Sequence, residues 1–423
     1  MENNITKYLS DIGTHQPKLF TLSNGIRVVF EEDGKYPTAA IGVLVPSGAR
    51  FEDKNTAGLS HFMEHMLFQG TEQRTSFEIS STIENVGGEL NAFTDVQDTL
   101  YLMHVSSMHV PLALEVLADM VMHPLFSEKA IQSEAKVVQQ EIYRSQDEPG
   151  DAVGEGLLKA VYGTDPIANI TLGTIASVSS FTHKDFVAYH QQHYLAPGLV
   201  ISIAGTADML EALELLEKTF GQLPKAPVLP KWEVPVTFAN KIIVEKPTEQ
   251  VHIAMALPGY PIYSKESFSA TMLSVILGGN MSSRLFQRLR NQEPLVYTTG
   301  ASTMDFSNTG FLELFAESSP ENAERVQAVL LEQIEKMRKE KISKAELQHA
   351  KDAVLGSLLL GMESSFNRMS RNANAIYLRG TIRSLEEVVK QINETTMEMM
   401  ETVIEHIFDI SKLATSIVHG HEK

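Results

Sequence analysis

The sequence predicts an α+β protein built from two similar domains. Its 423 residues are too many for one ordinary hydrophobic core. The order of strand and helix patterns in the first half of the chain is repeated in the second half. Between the halves, residues 221–235 contain four prolines, which excludes a helix or a central strand there. We therefore predict a first domain over residues 1–220, a linker over 221–238 and a second domain over 239–423.

The first half begins with a strand pattern and continues with strands and helices in turn. Asn24-Gly25 is a turn signal between two short runs rich in β-branched and aromatic residues. Further along, apolar residues recur at helical or alternating spacing. The predicted strands cover residues 20–22, 26–30, 39–45, 99–105 and 199–205. The predicted helices cover residues 58–68, 110–122, 127–143 and 209–220, and Gly87-Gly88 marks a turn.

The second half repeats this order, which indicates an internal duplication. It opens with two strand patterns, continues with a helix and a Gly-Gly turn, and then returns to an alternating strand. The predicted strands cover residues 241–244, 251–257 and 310–316, with Val418 near a final strand. The predicted helices cover residues 264–277, 321–339 and 344–365.

His61, Glu64 and His65 carry the strongest chemical signal in the chain. On a helix, their spacing places all three on one face. Two imidazoles one turn apart can hold a zinc ion, and the adjacent carboxylate can take a proton from a bound water. The order His-x-x-Glu-His is the inverzincin pattern, and the second half of the chain lacks it. The alternative is a pair of core histidines bonded to backbone, with Glu64 at a surface edge.

The predicted helix over residues 127–143 offers a third ligand. Ser127 is suited to its N-cap, and apolar residues form one stripe along it. Glu134 and Glu141 are two turns apart, so they share a face at the border of this stripe. From the residues alone, two solvated carboxylates on an amphipathic helix remain the favoured interpretation.

The chain resembles the pitrilysin-type metallopeptidases, which include insulysin and the mitochondrial processing peptidase. That family pairs His-x-x-Glu-His with a later glutamate, and here Glu141 lies 76 positions after His65. The likeness continues through Ala-Gly-Leu at 57–59, Phe-Gln-Gly-Thr at 68–71 and Gly-Gly-Glu-Leu-Asn-Ala-Phe-Thr at 87–94. In the second half, an arginine and a tyrosine stand seven residues apart, as in the family.

The resemblance implies a role for each residue of the motif. His61, His65 and Glu141 would bind Zn²⁺, with one ion per chain, and Glu64 would be the general base. Glu134 matches an additional acidic residue that supports the site. Three protein ligands leave one position open for water, and zinc lowers the pKa of that water to about 7. Glu64 would take the water's proton and later pass it to the leaving amine.

Arg290 and Tyr297 match the arginine and tyrosine of the family, which implies a catalytic contribution from the second half. They would donate hydrogen bonds near the substrate backbone, where negative charge develops. Residues 282–290 are predicted to form an N-capped helix, with Tyr297 in or near the next strand. Without the resemblance, a solvated cation and a packing residue would be favoured. The chain departs from the family at Pro294, where glycine is usual.

Asn91, Ala92 and Phe93 match the edge strand that lies beside the zinc in the family. A substrate would add there as a further strand, held mainly by main-chain hydrogen bonds. For Asn91 the alternative is a turn residue at the start of a strand. The resemblance further implies two α+β domains that face each other as a clamshell, each a β-sheet with helices packed on one face.

Composition excludes several classes of protein. A hydrophobic content of 43% and a charged content of 21% are typical of a globular protein, and no apolar run is long enough to cross a membrane. The absence of cysteine excludes disulfides and thiolate zinc sites. The net charge of −18 argues against nucleic acid as a partner and permits basic peptides. The N-terminus resembles neither a signal peptide nor a transit peptide, so we expect a cytoplasmic protein.

These observations predict a zinc endopeptidase that hydrolyses peptides or unfolded segments enclosed in a cavity. The rival is a non-catalytic assembly subunit, because some relatives keep the fold and lose the zinc motif. The intact set of His61, Glu64, His65 and Glu141 argues against that rival. A heterodimer with a related chain is a further possibility. Because this chain carries both the motif and the Arg–Tyr pair, a homodimer or a self-sufficient monomer is favoured.

Overall fold

The computed structural model describes residues 16–225 and 232–420. Within them the chain forms two compact units, each with one mixed β-sheet and its helices, which confirms the predicted α+β class. Of the described residues, the first unit comprises 16–142, 169–225 and Leu360–Glu387. The second unit comprises Tyr143–Ala168, Trp232–Leu359 and 388–420.

The sheet of the first unit has six strands. They are β1 (Lys18–Thr21), β2 (Arg27–Glu32), β3 (Thr38–Val45), β4 (Glu89–Thr94), β5 (Thr99–Ser106) and β6 (Val200–Gly205). Their order across the sheet is β1-β2-β6-β3-β5-β4. β2 and β6 run parallel, and the other neighbouring strands run antiparallel. β4 therefore lies at one edge and β1 at the other.

The sheet of the second unit has five strands. They are β7 (Lys241–Glu245), β8 (Val251–Pro258), β9 (Val296–Asp305), β10 (Gly310–Ser318) and β11 (Ala414–His419). Their order is β7-β11-β8-β10-β9, with β7 and β11 parallel and the other neighbours antiparallel. Apart from β1, the first sheet has the same order and directions. The repeat predicted from the sequence is therefore present in the topology.

The helices lie between these strands. In chain order they are α1 (Leu59–Leu67), α2 (Ser76–Glu84), α3 (Val110–Met122), α4 (Glu128–Asp147), α5 (Pro149–Tyr162), α6 (Ile175–Ser180), α7 (His183–His193), α8 (Met209–Lys218), α9 (Ser267–Gly278), α10 (Arg284–Phe286), α11 (Ala323–Glu340), α12 (Lys344–Gly361), α13 (Ser365–Arg379), α14 (Leu385–Glu394) and α15 (Met397–Ile407). Short 3₁₀ turns cover Ala49–Phe51, Ser107–His109, Pro166–Ala168, Phe220–Gln222, Pro320–Asn322 and Ile410–Lys412. None of the helices in the described ranges is both long and apolar enough to span a bilayer.

Helices cover both faces of the first sheet, although the sequence predicted helices on one face only. Successive strand residues point to opposite faces. On β3, Ile41 and Val43 join the core that contains the apolar residues of α1 and α3. Ala40 and Leu44 point the other way and pack with Met369 and other residues of α13. The strand is apolar on both faces, so each face needs a covering layer.

The helices α13 and α5, which cover the second faces of the two sheets, come from the opposite halves of the sequence. α13 packs on β2, β3 and β6, and α5 packs on β7, β8 and β11. A side chain at Gly42 of β3 would have its Cβ only 2.2 Å from Met369 Sδ, so glycine lets α13 approach the sheet closely. Residues 143–168 therefore belong to the second compact unit, although the predicted first domain over 1–220 includes them. Residues 360–387 belong to the first unit, although the predicted second domain over 239–423 includes them.

Two further elements differ in detail from the sequence prediction. One helix was predicted over residues 344–365, but α12 ends at Gly361 and α13 begins at Ser365, where the Ser364 side chain accepts a hydrogen bond from Asn367 N. The helix predicted over 282–290 is present as α10 followed by a π-helix at Gln287–Gln292. In the expected linker, residues 226–231 lie outside the described part of the chain, and residues 232–238 form neither helix nor strand.

Candidate metal centre

Glycine and the carboxylate of a residue just before it in the chain together begin the helix that carries the motif. Gly58 occupies the N-cap of α1 with a φ of 86°, a left-handed conformation that favours glycine. A Cβ there would lie 2.7 Å from the carbonyl oxygen of Leu172. Glycine has no side chain to accept hydrogen bonds from the first N–H groups of the helix, so the acceptor must come from elsewhere.

Glu52 is that acceptor. Its Oε2 accepts from Gly58 N at 2.7 Å, and its Oε1 accepts from Ser60 N at 2.6 Å. The side chain is buried, and this burial raises the pKa of the Glu52 carboxyl to about 7, although the hydrogen bonds from Ser60 and Gly58 act in the opposite direction. Sequence reasoning missed Glu52. Its signal in the sequence is a predicted helix that begins at glycine. Because glycine has no side chain to cap the helix, another polar residue nearby must supply the acceptor.

The structure brings His61, His65 and Glu141 together. His61 Nε2 lies 3.5 Å from Glu141 Oε2, and His65 Nε2 lies 3.4 Å from the same oxygen. One ligand atom from each residue lies within 4.8 Å of the others, and all three side chains are partly buried. In the described ranges this is the one group of three or more such side chains that could hold a metal.

The spacing of these atoms suits a zinc ion. Zinc binds histidine nitrogen and carboxylate oxygen at about 2.0–2.2 Å with tetrahedral geometry, so two of its ligands stand roughly 3.4 Å apart. The two nitrogen–oxygen distances match that value, and both exceed the usual length of a hydrogen bond. Burial, followed by the proximity of His65, lowers the pKa of His61 to about 4. His61 is therefore neutral at pH 7, the form that binds metals.

Glu134 contacts the far side of His65. Its Oε2 lies 3.3 Å from His65 Nδ1, on the ring nitrogen opposite the one that faces Glu141. A carboxylate in this position fixes the orientation of the ring and keeps the proton on Nδ1, which leaves Nε2 free as a ligand. Both glutamates lie on α4, two turns apart, and both are partly buried.

Glu64 lies beside these residues on α1 and is partly buried. Its Oε2 accepts a hydrogen bond of 2.5 Å from Thr94 Oγ1, at the end of β4. Burial raises the pKa of the Glu64 carboxyl, while this hydrogen bond lowers it. A carboxyl with a raised pKa is a better proton acceptor at neutral pH than an exposed one. Sequence reasoning noted Thr94 only as part of a matching segment and gave it no role.

The segment Asn91, Ala92 and Phe93 lies on β4, at the edge of the first sheet. Ala92 is buried, whereas Asn91 and Phe93 are exposed on the opposite face. Asn91 Oδ1 accepts a hydrogen bond from Ala92 N, and the Phe93 ring lies 6.3 Å from the ring of Phe366. An edge strand has free main-chain groups to which another strand can add. The role of these residues in substrate binding stays a prediction.

Arg290 and Tyr297 contact each other in the second unit. Arg290 lies in the π-helix and Tyr297 is the second residue of β9. Arg290 Nη1 donates a hydrogen bond to the carbonyl oxygen of Tyr297, and the guanidinium carbon lies 4.7 Å from the centre of the Tyr297 ring. The Tyr297 side chain is 75% exposed. The pair is thus held as a unit, and its catalytic role stays a prediction.

Comparison with known proteins identifies the protein family of this chain. Residues 27–175 match the profile of the insulinase family, peptidase family M16, and residues 180–354 match the profile of the peptidase M16 inactive domain. The chain belongs to the M16 peptidase family.

Relatives of similar length carry names that agree with this assignment. The chain is 32% identical over 391 residues to the zinc protease YmxG of Bacillus subtilis, which covers 92% of this chain and 95% of that protein. It is 32% identical over 396 residues to the zinc protease Rv2782c of Mycobacterium tuberculosis, with 92% and 90% covered.

Solved structures share the fold. A peptidase M16 inactive domain from Pseudomonas fluorescens superposes with a TM-score of 0.90 at 20% identity, covering 96% of this chain and 98% of that one. A protease from Helicobacter pylori gives a TM-score of 0.87 at 22% identity, covering 96% and 100%. Because only 20% and 22% of the residues are identical, these two superpositions are evidence for the fold alone.

Proposed function

We propose that this protein is a zinc-dependent endopeptidase that hydrolyses peptides and unfolded segments. The observation that carries the proposal is the group formed by His61, His65 and Glu141, with the Glu64 carboxylate on the same helix face. Two imidazoles and one carboxylate are a ligand set of catalytic zinc, which keeps one position open. The names of the relatives, all zinc proteases, point in the same direction.

When bound, zinc would polarise a water molecule and the scissile carbonyl group. The residues of the chain have separate tasks around it. His61, His65 and Glu141 would hold the ion, and Glu134 would orient His65. Glu64 accepts the proton of the attacking water and delivers it to the leaving amine, for which its partly buried carboxyl is suited.

The edge strand β4 supports an extended peptide as the substrate. A peptide that adds to β4 would be held by main-chain hydrogen bonds along Asn91, Ala92 and Phe93, so many sequences could bind. Arg290 and Tyr297 would stabilise the negative charge that develops on the carbonyl oxygen during attack. We further propose that the substrate is enclosed in a cavity and that the protein acts as a homodimer or a self-sufficient monomer, with a heterodimer with a related chain as the alternative.

The proposal is tested with the purified chain and a quenched fluorescent peptide library. Cleavage should require metal, should stop on addition of a chelator and should return when zinc is restored. Mass spectrometry of the products would identify the bonds that are cut. A non-catalytic assembly subunit would bind metal without cleaving any peptide, and that result would reject the proposal. Bonds cut only at chain ends would reject the endopeptidase assignment.

A further inference from the structure

We propose that Thr94 is a positioning residue for the general base. The Thr94 hydroxyl holds one carboxylate oxygen of Glu64, which fixes the orientation in which the carboxylate meets the attacking water. This inference rests on the proposed function, because it names the residue that fixes the direction of proton transfer.

The contact itself is short and directional. Thr94 Oγ1 donates to Glu64 Oε2 at 2.5 Å, the length of a hydrogen bond between a hydroxyl and an ionised carboxylate. A hydroxyl carries a single hydrogen. Thr94 gives that hydrogen to Oε2, and the main-chain N–H of Thr94 is a second hydrogen-bond donor to the Glu64 carboxyl, so this one residue holds the carboxyl in a single orientation.

The residue that pairs with Thr94 across the sheet, Thr99, has its own hydroxyl hydrogen committed elsewhere. Thr94 stands directly opposite Thr99 in the pairing of β4 with β5, and their hydroxyl oxygens are 3.3 Å apart. Thr99 is fully buried and donates its own hydrogen to the carbonyl oxygen of Ser47 at 2.7 Å. Thr99 therefore has no hydrogen to offer Thr94, and Glu64 is the nearer acceptor for the Thr94 hydrogen.

Ser47, whose carbonyl oxygen accepts the hydrogen of Thr99, is also linked to α1, the helix that carries the motif. Ser47 Oγ donates to Tyr189 OH at 2.9 Å, and Tyr189 OH lies 2.6 Å from Ser60 Oγ. Ser60 belongs to the first turn of α1, one residue before His61, and all three side chains are buried. The strand β5, which pairs with the strand of Thr94, and the helix that carries Glu64 are thus bonded to one buried framework. These bonds do not depend on the Thr94 hydroxyl.

The consequence for catalysis is geometric. A general base is effective when one oxygen is within hydrogen-bond reach of the proton that it removes. A carboxylate on a flexible glutamate stem rotates unless a second contact holds it. In the described part of the structure, Thr94 supplies the side-chain hydrogen bond to Glu64. Loss of this contact should reduce the rate of the chemical step and leave the affinity for substrate unchanged.

Steady-state kinetics with Thr94→Val and Thr94→Ser test the inference. Valine keeps the shape and removes the hydroxyl, so kcat should fall roughly 10- to 100-fold with KM and zinc content unchanged. Serine keeps the hydroxyl and should restore most of kcat. Thr21→Val is the matched control, because Thr21 is an exposed strand threonine on β1 at the opposite edge of the sheet. Wild-type kcat in Thr94→Val, or a serine variant as slow as the valine variant, would overturn the proposal.

A measurement on the metal-free protein separates this inference from the proposed function. Denaturant unfolding is compared for Thr94→Val, for Glu64→Ala and for the double variant. If Thr94 holds Glu64, Thr94→Val should shift the unfolding midpoint less when Glu64 is already absent, since the two changes share one interaction. Fully additive shifts would show that Thr94 acts through packing alone. A chain that folds and cleaves no peptide would reject the peptidase proposal, and this comparison would still decide the role of Thr94.

Discussion

The helices α1 and α9 occupy equivalent places in two equivalent sheets. α1 follows β3, and α9 follows β8. If β1 is left out, each of these strands is the third in its sheet, counted from the edge where two strands run parallel. Both helices are largely buried. α1 interrupts its apolar surface with two histidines and a glutamate, whereas α9 carries only serine and threonine among its apolar residues. The same fold therefore holds a candidate metal centre in one unit and a plain apolar helix in the other.

This difference teaches that topology and chemistry are separable in this protein. The strand order is a consequence of apolar alternation and turn residues, which both halves of the chain share. The metal-ligand group additionally needs a second helix that brings a carboxylate to the histidines. α4 supplies Glu134 and Glu141 for α1. Function therefore has to be argued from the site, because the fold is common to both units.

Replacing the proposed general base, Glu64, should give the largest difference between the two equivalent helices. Glu64→Gln should lower kcat by about 100- to 10,000-fold, because the amide cannot accept the proton of water. The variant should keep its metal, since His61, His65 and Glu141 are untouched. Glu266→Gln, just before α9, is the matched control and should retain full activity. Peptide hydrolysis and metal content are measured side by side. An active Glu64→Gln enzyme would rule out Glu64 as the base.

A second test asks whether the unit without the motif contributes to catalysis. Tyr297→Phe and Arg290→Ala should each lower kcat by roughly 100- to 1000-fold, the usual cost of losing one donor to the transition state. Zinc content should not change. Tyr297→Phe removes one hydroxyl from an exposed ring, so packing should be preserved. If turnover is unchanged in both variants, the second unit acts as scaffold and the assignment of this pair has to be withdrawn.

A third test separates the two glutamates of α4. Glu141→Gln should lose most of the bound zinc, because an amide is a poorer ligand than a carboxylate. Glu134→Gln should weaken zinc binding by about 10- to 100-fold, the effect expected of a residue that orients a ligand. Competition with a chromophoric chelator gives both affinities. Greater loss of zinc in Glu134→Gln than in Glu141→Gln would reverse the assignment.

The smallest expected effect concerns how the two helices begin. Glu52→Ala leaves two N–H groups at the start of α1 without their acceptor, at a cost of about 1–3 kcal/mol in the free energy of unfolding. Glu266 occupies the N-cap of α9 and makes no side-chain cap hydrogen bond. Glu266→Ala should therefore change stability by less than about 0.5 kcal/mol. Equal losses in the two variants, measured by denaturant unfolding, would contradict the special role of Glu52.

Much of this structure follows from local patterns in the sequence. The helix predicted over 110–122 coincides with α3, and the strand predicted over 39–45 differs from β3 by one residue. The spacing within α1 was sufficient to predict that His61, Glu64 and His65 share a face. These features depend on residues close together in the chain, where periodicity and helix geometry act directly.

Features that depend on distant residues could not be predicted in this way. Thr94 contacts Glu64 from 30 positions away, which no spacing encodes. Glu52 lies only six residues before Gly58, and its signal was the glycine N-cap rather than helical periodicity. The packing of α5 and α13 on the second faces of the sheets was missed because neither helix was predicted: no helix was expected over α5, and the helix predicted over 344–365 ends where α13 begins. From the residues alone, Glu141 resembled an ordinary surface carboxylate, and only the family resemblance assigned it to the metal.

Metal stoichiometry tests the central claim most directly, since the claim is that one unit alone carries a metal centre. The purified chain is dialysed against metal-free buffer and analysed for zinc by elemental mass spectrometry. The account predicts one zinc ion per chain, and none in the double variant His61→Ala/His65→Ala. A value of two, or of none in the unaltered chain, would contradict it.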